Sequence, residues 1–341
     1  MRVLIYGAGA IGGYLGAILS SSGVDVTILA RGATYDSIKS QGLVVDWAIG
    51  NKRLLVTPPV CRSHESNGLF DVVFVTLKSM QIPASAENIV SKLKPHGSMV
   101  MIQNGLPWWY FEGIDSPWRG ASLSSLDPDG TLKKYINLSQ VIGAVIHKPV
   151  MAIKPGQLYV PEVRADRLVI GELDGEHRSR LDVIASMVGG AGLPVEITND
   201  IRAAKWIKLM VNLVWNPLTA LTQSPAGAIA DFPQAKELVK SILKEGSLVA
   251  ASVGIQVDCD SDAEILRVTG NYTQIPSMLQ DARAGRPLEW QAILGAVIEI
   301  AGLTKVAVPT LRNIATCIGV LDQRILNEGL GIGPLTFGDH L

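Results

Sequence analysis

Cysteine is scarce in this chain of 341 residues: Cys61, Cys259 and Cys317 stand far apart, with no CxxC pair. That spacing offers neither a disulfide framework nor a thiolate zinc site, and it suits a reducing compartment. A surplus of charge is missing as well. Thirty Lys and Arg face 31 Asp and Glu, a formal net charge of −1, so the chain lacks the basic field that nucleic acid or an anionic membrane would require. No uninterrupted apolar run reaches the ~18 residues of a transmembrane helix. The richest late stretch, Ile207–Leu221, is broken by Lys208, Asn212, Asn216 and Pro217. None of the five histidines (His64, His96, His147, His177, His340) falls in a readable motif, which disfavours a histidine-based dehydrogenase and implies no metal. A soluble, cytoplasmic protein is expected. Arg2, the apolar Val3–Leu19 and then Ser20, Ser21 and Ser22 imitate a signal peptide, but the glycine spacing within them has a better explanation.

Hydrophobic residues make up 48% of the chain, enough for cores in two domains. The first half alternates strand-like and helix-like segments. Val3–Tyr6, Asp25–Ala30, Asp71–Leu77, Ser98–Gln103 and Gln140–His147 read as strands, with Leu168–Gly171 as a short sixth, and Ala10–Ser22 reads as a helix. Such alternation predicts parallel βαβ units in a doubly wound sheet. Beyond residue 195 only helices are expected: Ile201–Leu221, Pro233–Val253, Asp262–Gly270, Pro276–Ala284, Pro287–Ala301 and Pro309–Asn327. Ser261 and Glu264 fit a capping box, and Pro233, Pro287 and Pro309 suit first-turn positions. The expected fold is therefore α/β: a Rossmann-type domain over 1–195, then an all-α domain over 196–341. Residues 107–139, with Trp108, Trp109 and Trp118, form an insertion that reads equally as a lid, an oligomer contact or a surface excursion with its own small core. An exposed tryptophan segment would favour a homodimer.

The strongest motif is Gly7-Ala8-Gly9-Ala10-Ile11-Gly12, directly after the first strand and opening the first helix. Gly7 permits the tight turn, Gly9 lets a pyrophosphate approach the backbone, and Gly12 lets the helix pack on the sheet. The free N–H groups of Ala10, Ile11 and their neighbours face the phosphates. The second strand ends at Ala30-Arg31. An NAD site presents a carboxylate there for the ribose 2′-OH; a guanidinium suits the 2′-phosphate of NADP(H) instead. An ordinary exposed arginine after a strand is the plainer reading. Lys78 after the third strand and Asn104-Gly105 after the fourth lie at the same carboxyl edge, as ligand contacts or as a solvated lysine and an Asn-Gly turn.

The helix Lys205–Pro217 is apolar nearly all round, yet Lys208, Asn212 and Asn216 recur at i, i+4 and i+8 and so share one face. Burying an unpaired ammonium costs several kcal/mol, roughly, so such a stripe should meet a polar ligand, a wet cleft or dedicated partners. The plainer alternative has the amides tie down loops while Lys208 snorkels outward. A desolvated lysine can serve as a general acid near neutral pH.

The run KWIKLMVNLVWNPLTALT resembles the signature helix of ketopantoate reductases. Similar too are Ser277-Met278-Leu279-Gln280-Asp281 with Gly285-Arg286-Pro287-Leu288-Glu289, the opening GAGAIGGYLG, ILAR at the second strand, VTLK at Lys78 and QNG at Asn104. The resemblance spans most of residues 1–325. It implies a 6-phosphogluconate-dehydrogenase-like helical second domain and NADPH-dependent reduction of 2-dehydropantoate to pantoate, a step of pantothenate biosynthesis. It also implies Lys208 as general acid, Glu289 as its charged partner, and Asn104, Asn212, Asn216 and Ser277 as substrate contacts. The chain departs from the family pattern at Gln291 and Leu294 after the glutamate, at Gln274 before the serine, and in the 107–139 insertion. Those departures surround the expected acid pocket and leave open a different 2-oxo or 2-hydroxy acid. A redox-sensing NADP(H)-binding regulator is the reading from another class, and it would have no use for a proton donor.

Overall fold

The computed structural model describes residues 1–65, 68–161, 166–273, 275–329 and 331; the expected departure at Gln274 lies outside them. The chain divides into two compact units. The first comprises 1–103, 108–122 and 129–204; the second comprises 104–107, 123–128 and 205–341.

The described strands of the first unit are β1 (Arg2–Tyr6), β2 (Asp25–Leu29), β3 (Leu43–Trp47), β4 (Arg53–Val56), β5 (Val60–Cys61), β6 (Phe70–Val75), β7 (Leu93–Met101), β8 (Val141–His147), β9 (Met151–Lys154), β10 (Gln157–Val160), β11 (Arg167–Glu172) and β12 (Val195–Ile197). Eight of them form a sheet in the order β12-β11-β8-β7-β6-β1-β2-β5. All its neighbours run parallel except β8 and β11. Val3, Leu4 and Ile5 of β1 are completely buried, as are Val73, Phe74 and Val75 of β6. Continuous apolar runs of this kind belong to strands covered on both faces. The helices of this unit are α1 (Ala10–Ser21), α2 (Gly32–Gln41), α3 (Ala86–Ser91), α4 (Thr131–Tyr135) and α5 (Ser179–Gly190). The stretch that imitates a signal peptide is thus β1 and α1, paired into the sheet beside β2 and β6.

A second sheet, β4-β3-β10-β9, was not expected from the sequence. Its central pair joins residues 44–47 to 157–160 in parallel. The expectation of exposed tryptophans is also corrected: Trp108 is buried and Trp109 completely so. The Arg202 guanidinium packs against Trp109. It is buried, lies 5.5 Å from the Trp109 ring, and donates to the carbonyls of Tyr110 and Leu173 at 2.7 and 2.6 Å and to that of Glu112.

The second unit holds most of α6 (Ile201–Thr222), then α7 (Ala226–Asp231), α8 (Pro233–Ser252), α9 (Ser261–Val268), α10 (Ser277–Arg283), a π turn (Gln291–Gly295), α11 (Ala296–Thr304) and α12 (Pro309–Glu328). Pro233 and Pro309 do open their helices. Pro287 does not: residues 286–289 are non-helical, and helical structure begins at Trp290. The cap of α9 is Asp260, not Ser261; its carboxylate accepts from the N–H groups of Asp262 and Ala263 at 3.0 Å. A carboxylate here is the stronger acceptor, and the positive end of the helix dipole favours it. Glu299 of α11 ties down residues 124 and 125, accepting from both N–H groups and both hydroxyls at 2.7–3.0 Å.

Candidate active site

The nucleotide-binding candidates gather at the carboxyl ends of three adjacent parallel strands. Tyr6, Leu29 and Val75, at the ends of β1, β2 and β6, are register partners. Gly7 follows β1 with φ +113, a conformation that side chains rarely adopt. Gly12, in the first turn of α1, is pressed against that turn: a Cβ there would lie 1.9 Å from the Gly7 carbonyl oxygen and 2.3 Å from Thr76 Oγ1. Thr76 Oγ1 itself donates to the Gly7 carbonyl at 2.7 Å. Gly9 is different, since a Cβ there would meet nothing within 4 Å. It is the exposed cap of α1 and, as a glycine, brings no side chain to the helix N–H groups. A tight turn, a close-packed helix and an open, uncapped N-terminus together fit the pyrophosphate of a dinucleotide.

Arg31 is exposed and extended just past β2, at the cap of α2. Lys78 is half-buried beyond β6, and its N–H donates to Gln81 Oε1 at 3.1 Å. Ala10 and Ile11 occupy the first turn of α1.

Within the second unit, three side chains distant in sequence form one hydrogen-bonded chain. Lys208 Nζ donates to Asn104 Oδ1 at 3.0 Å. Asn104 Nδ2 donates in turn to Glu289 Oε2 at 3.4 Å. The Asn104 amide therefore points its oxygen at an ammonium and its N–H at a carboxylate, each end matched to the charge it meets. Lys208 does not snorkel outward. Burial pushes its ammonium down to about 8, against the opposing pull of Glu289, which favours the charged form. An ammonium held there is a ready proton donor near neutrality.

Asn104 owes its place to the backbone on either side. Gly105 has φ +74, and a Cβ there would lie 2.1 Å from the Ala292 carbonyl oxygen. The next N–H, that of Leu106, donates to the same carbonyl at 2.9 Å. Asn212 and Asn216 follow Lys208 on its face of α6, half-buried and buried respectively. Ser277 is exposed at the first position of α10.

Sequence reasoning missed Lys205. It is only 3% exposed and sits one turn before Lys208. Burial, then the like charge of Lys208, push it down to about 7, with Glu289 opposing. The signal was available as a second lysine at i−3 on an otherwise apolar helix.

Known proteins resemble this chain over most of its length. The family model described as ketopantoate reductase PanE/ApbA matches residues 3–109, and its C-terminal counterpart matches residues 200–322. A 2-dehydropantoate 2-reductase of Mesorhizobium japonicum is 34% identical over 321 residues, covering 93% of this chain and 97% of the relative. The crystal structure of 2-dehydropantoate 2-reductase from Geobacter metallireducens superposes with a TM-score of 0.80 at 27% identity, covering 94% of this chain and 99% of that one. A D-mandelate dehydrogenase solved with NADH and anilino(oxo)acetate shares the fold, with a TM-score of 0.81 at 19% identity over 96% of this chain and all of that one. With both family models matched in order and a relative of this identity over nearly its whole length, the chain belongs to the ketopantoate reductase family of oxidoreductases.

Proposed function

We propose that the protein reduces 2-dehydropantoate to pantoate with NADPH, Lys208 giving the proton. The observation that carries this reading is the Lys208–Asn104–Glu289 chain. When bound, the nicotinamide supplies the hydride to the carbonyl carbon. The residues of the protein do the rest. The Gly7–Gly12 turn and the open start of α1 hold the pyrophosphate, with Arg31 and Lys78 as the cationic groups for the 2′-phosphate and the cofactor's remaining anionic charge. Lys208, below its pKa of about 8, transfers a proton from Nζ to the carbonyl oxygen as negative charge develops there, leaving a neutral amine that solvent reprotonates. Asn104 fixes the direction of the ammonium, and Glu289 keeps it charged in a buried setting. Asn212, Asn216 and Ser277 are assigned to the substrate's hydroxyl and carboxylate. In this proposal residues 1–195 serve the cofactor and residues 196–341 serve substrate and proton transfer.

A different 2-oxo acid is the second reading. It is favoured by Gln291 and Leu294, which follow Glu289 where the family pattern differs. The deciding experiment follows NADPH oxidation with ketopantoate beside smaller and bulkier 2-oxo acids, in the wild type and in Lys208→Ala. General acid catalysis contributes ~10²–10⁴-fold, so the variant should lose that much turnover while NADPH binding persists. Near-normal turnover in the variant would end the assignment of Lys208. Activity on another acid alone would keep the chemistry and move the specificity onto the residues after Glu289.

A further inference from the structure

Glu289 sits in a stretch that helical hydrogen bonding does not hold. Residues 286–289 are non-helical, yet the Glu289 carboxylate must stay within reach of Asn104. The restraint comes from α12. Asp322, a buried residue of that helix, accepts from the Leu288 N–H through Oδ1 at 2.8 Å and from the Trp290 indole N–H through Oδ2 at 3.1 Å. One carboxylate thus grips the residues on either side of Glu289 and uses a separate oxygen for each. The Trp290 ring lies over Gly319, one turn earlier on α12, where a Cβ would be 3.5 Å from the ring. From Gln291 the chain enters the π turn, and Ala292 within it presents the carbonyl that accepts from Leu106 and so seats Asn104. Asn104 and Glu289 are therefore both held from the same short segment.

We propose that Asp322 is a positioning residue for the proton-donating site: by clamping Leu288 and Trp290 it sets the Glu289 carboxylate against Asn104 and, through that amide, aims the Lys208 ammonium. The inference rests on the assignment of Lys208 as proton donor. Glu289 acts on both buried lysines in the direction that favours their charged forms, and Lys208 opposes the charge on Lys205. Loosening Glu289 weakens an influence that favours the ammonium, so the pKa of Lys208 falls.

The test uses two conservative variants of the full-length enzyme. Asp322→Asn keeps an acceptor for Leu288 and loses one for Trp290; Trp290→Phe deletes the indole N–H and keeps an aromatic ring at that position. Both are checked for a wild-type circular dichroism spectrum and for NADPH affinity. The expected result is a kcat lower by about tenfold, as for one lost hydrogen bond to a charged group, with NADPH affinity unchanged. The alkaline limb of kcat/KM should also move to lower pH in both variants. A structural role alone would leave that limb in place, so folded variants with the wild-type limb overturn the inference. Should Asp322→Asn fail to fold, Trp290→Phe decides by the same reading. Lys208→Ala separates the two levels. If it loses turnover while the limb of Trp290→Phe stays put, only the role of Asp322 fails; if it retains turnover, the proton-donor assignment itself fails.

Discussion

Replacing Glu289 with Gln isolates the electrostatic part of the proposed mechanism, because it removes a charge and keeps the shape. The two hydrogen bonds of 3.0 and 3.4 Å through one amide hold the Lys208 ammonium and the Glu289 carboxylate within about 9 Å. At that separation two unit charges attract by ~2 kcal/mol for an effective dielectric of about 20, which is about 1.4 pKa units. In the wild type, burial lowers Lys208 to about 8 while Glu289 holds it up. Without the carboxylate the ammonium loses support and its pKa falls further. The acid form is the one that donates, so the rate of reduction declines as pH rises through that pKa. The pH profile of kcat/KM for the 2-oxo acid, measured by NADPH oxidation between pH 5.5 and 9.5, reads the free enzyme. Its alkaline limb should lie near pH 8 in the wild type and move down by about one unit or more in Glu289→Gln. A limb that stays within a few tenths of a unit would refute the coupling, and Glu289 would then be only a packing or substrate group.

Two further predictions concern cofactor choice and the buried lysine pair. Arg31→Ala should lower the ratio of kcat/KM for NADPH over NADH by about tenfold or more through loss of a charge-assisted contact to the 2′-phosphate; an unchanged ratio would remove Arg31 as selector. Lys205 is pushed down to about 7 in the folded chain against about 10.4 when unfolded. Between those values the unfolded chain binds more protons, so this residue makes stability rise with pH, with its full penalty felt below pH 7. Lys205→Met should therefore be more stable than the wild type at pH 6, with the gap closing towards pH 10. Urea melts at both ends of that range check this, and parallel pH dependences in the two proteins would count against it.

Much of this was legible from the chain because the signals were local. The glycine turn shows in six consecutive residues, the parallel strands show as apolar runs, and the buried polar face of α6 shows in the spacing of Lys208, Asn212 and Asn216. The second sheet was not legible: β3 pairs with β10 over more than a hundred residues, and neither strand has a distinctive pattern. Asp322 escaped for a similar reason, since its partners Leu288 and Trp290 lie on a separate segment and one of them offers only a backbone N–H. The start at Trp290 rather than Pro287 reflects the same clamp, which engages the Leu288 N–H in a non-helical stretch. The buried Trp109 was hidden by its packing against Arg202, ninety-odd residues later. Family resemblance supplied Glu289 and Ser277, which periodicity alone would have left as a first-turn acid and a surface hydroxyl.

The second unit borrows residues 104–107 and 123–128 from the first part of the chain. Residues 205–341 cut out as a fragment would leave Lys208 and Glu289 without their shared amide, and Glu299 without the two serines that satisfy it. A hybrid made by joining the front of one family member to the back of another therefore inherits its central amide from one parent and both charges from the other. Such a recombinant would test compatibility inside the proposed proton-donating site itself.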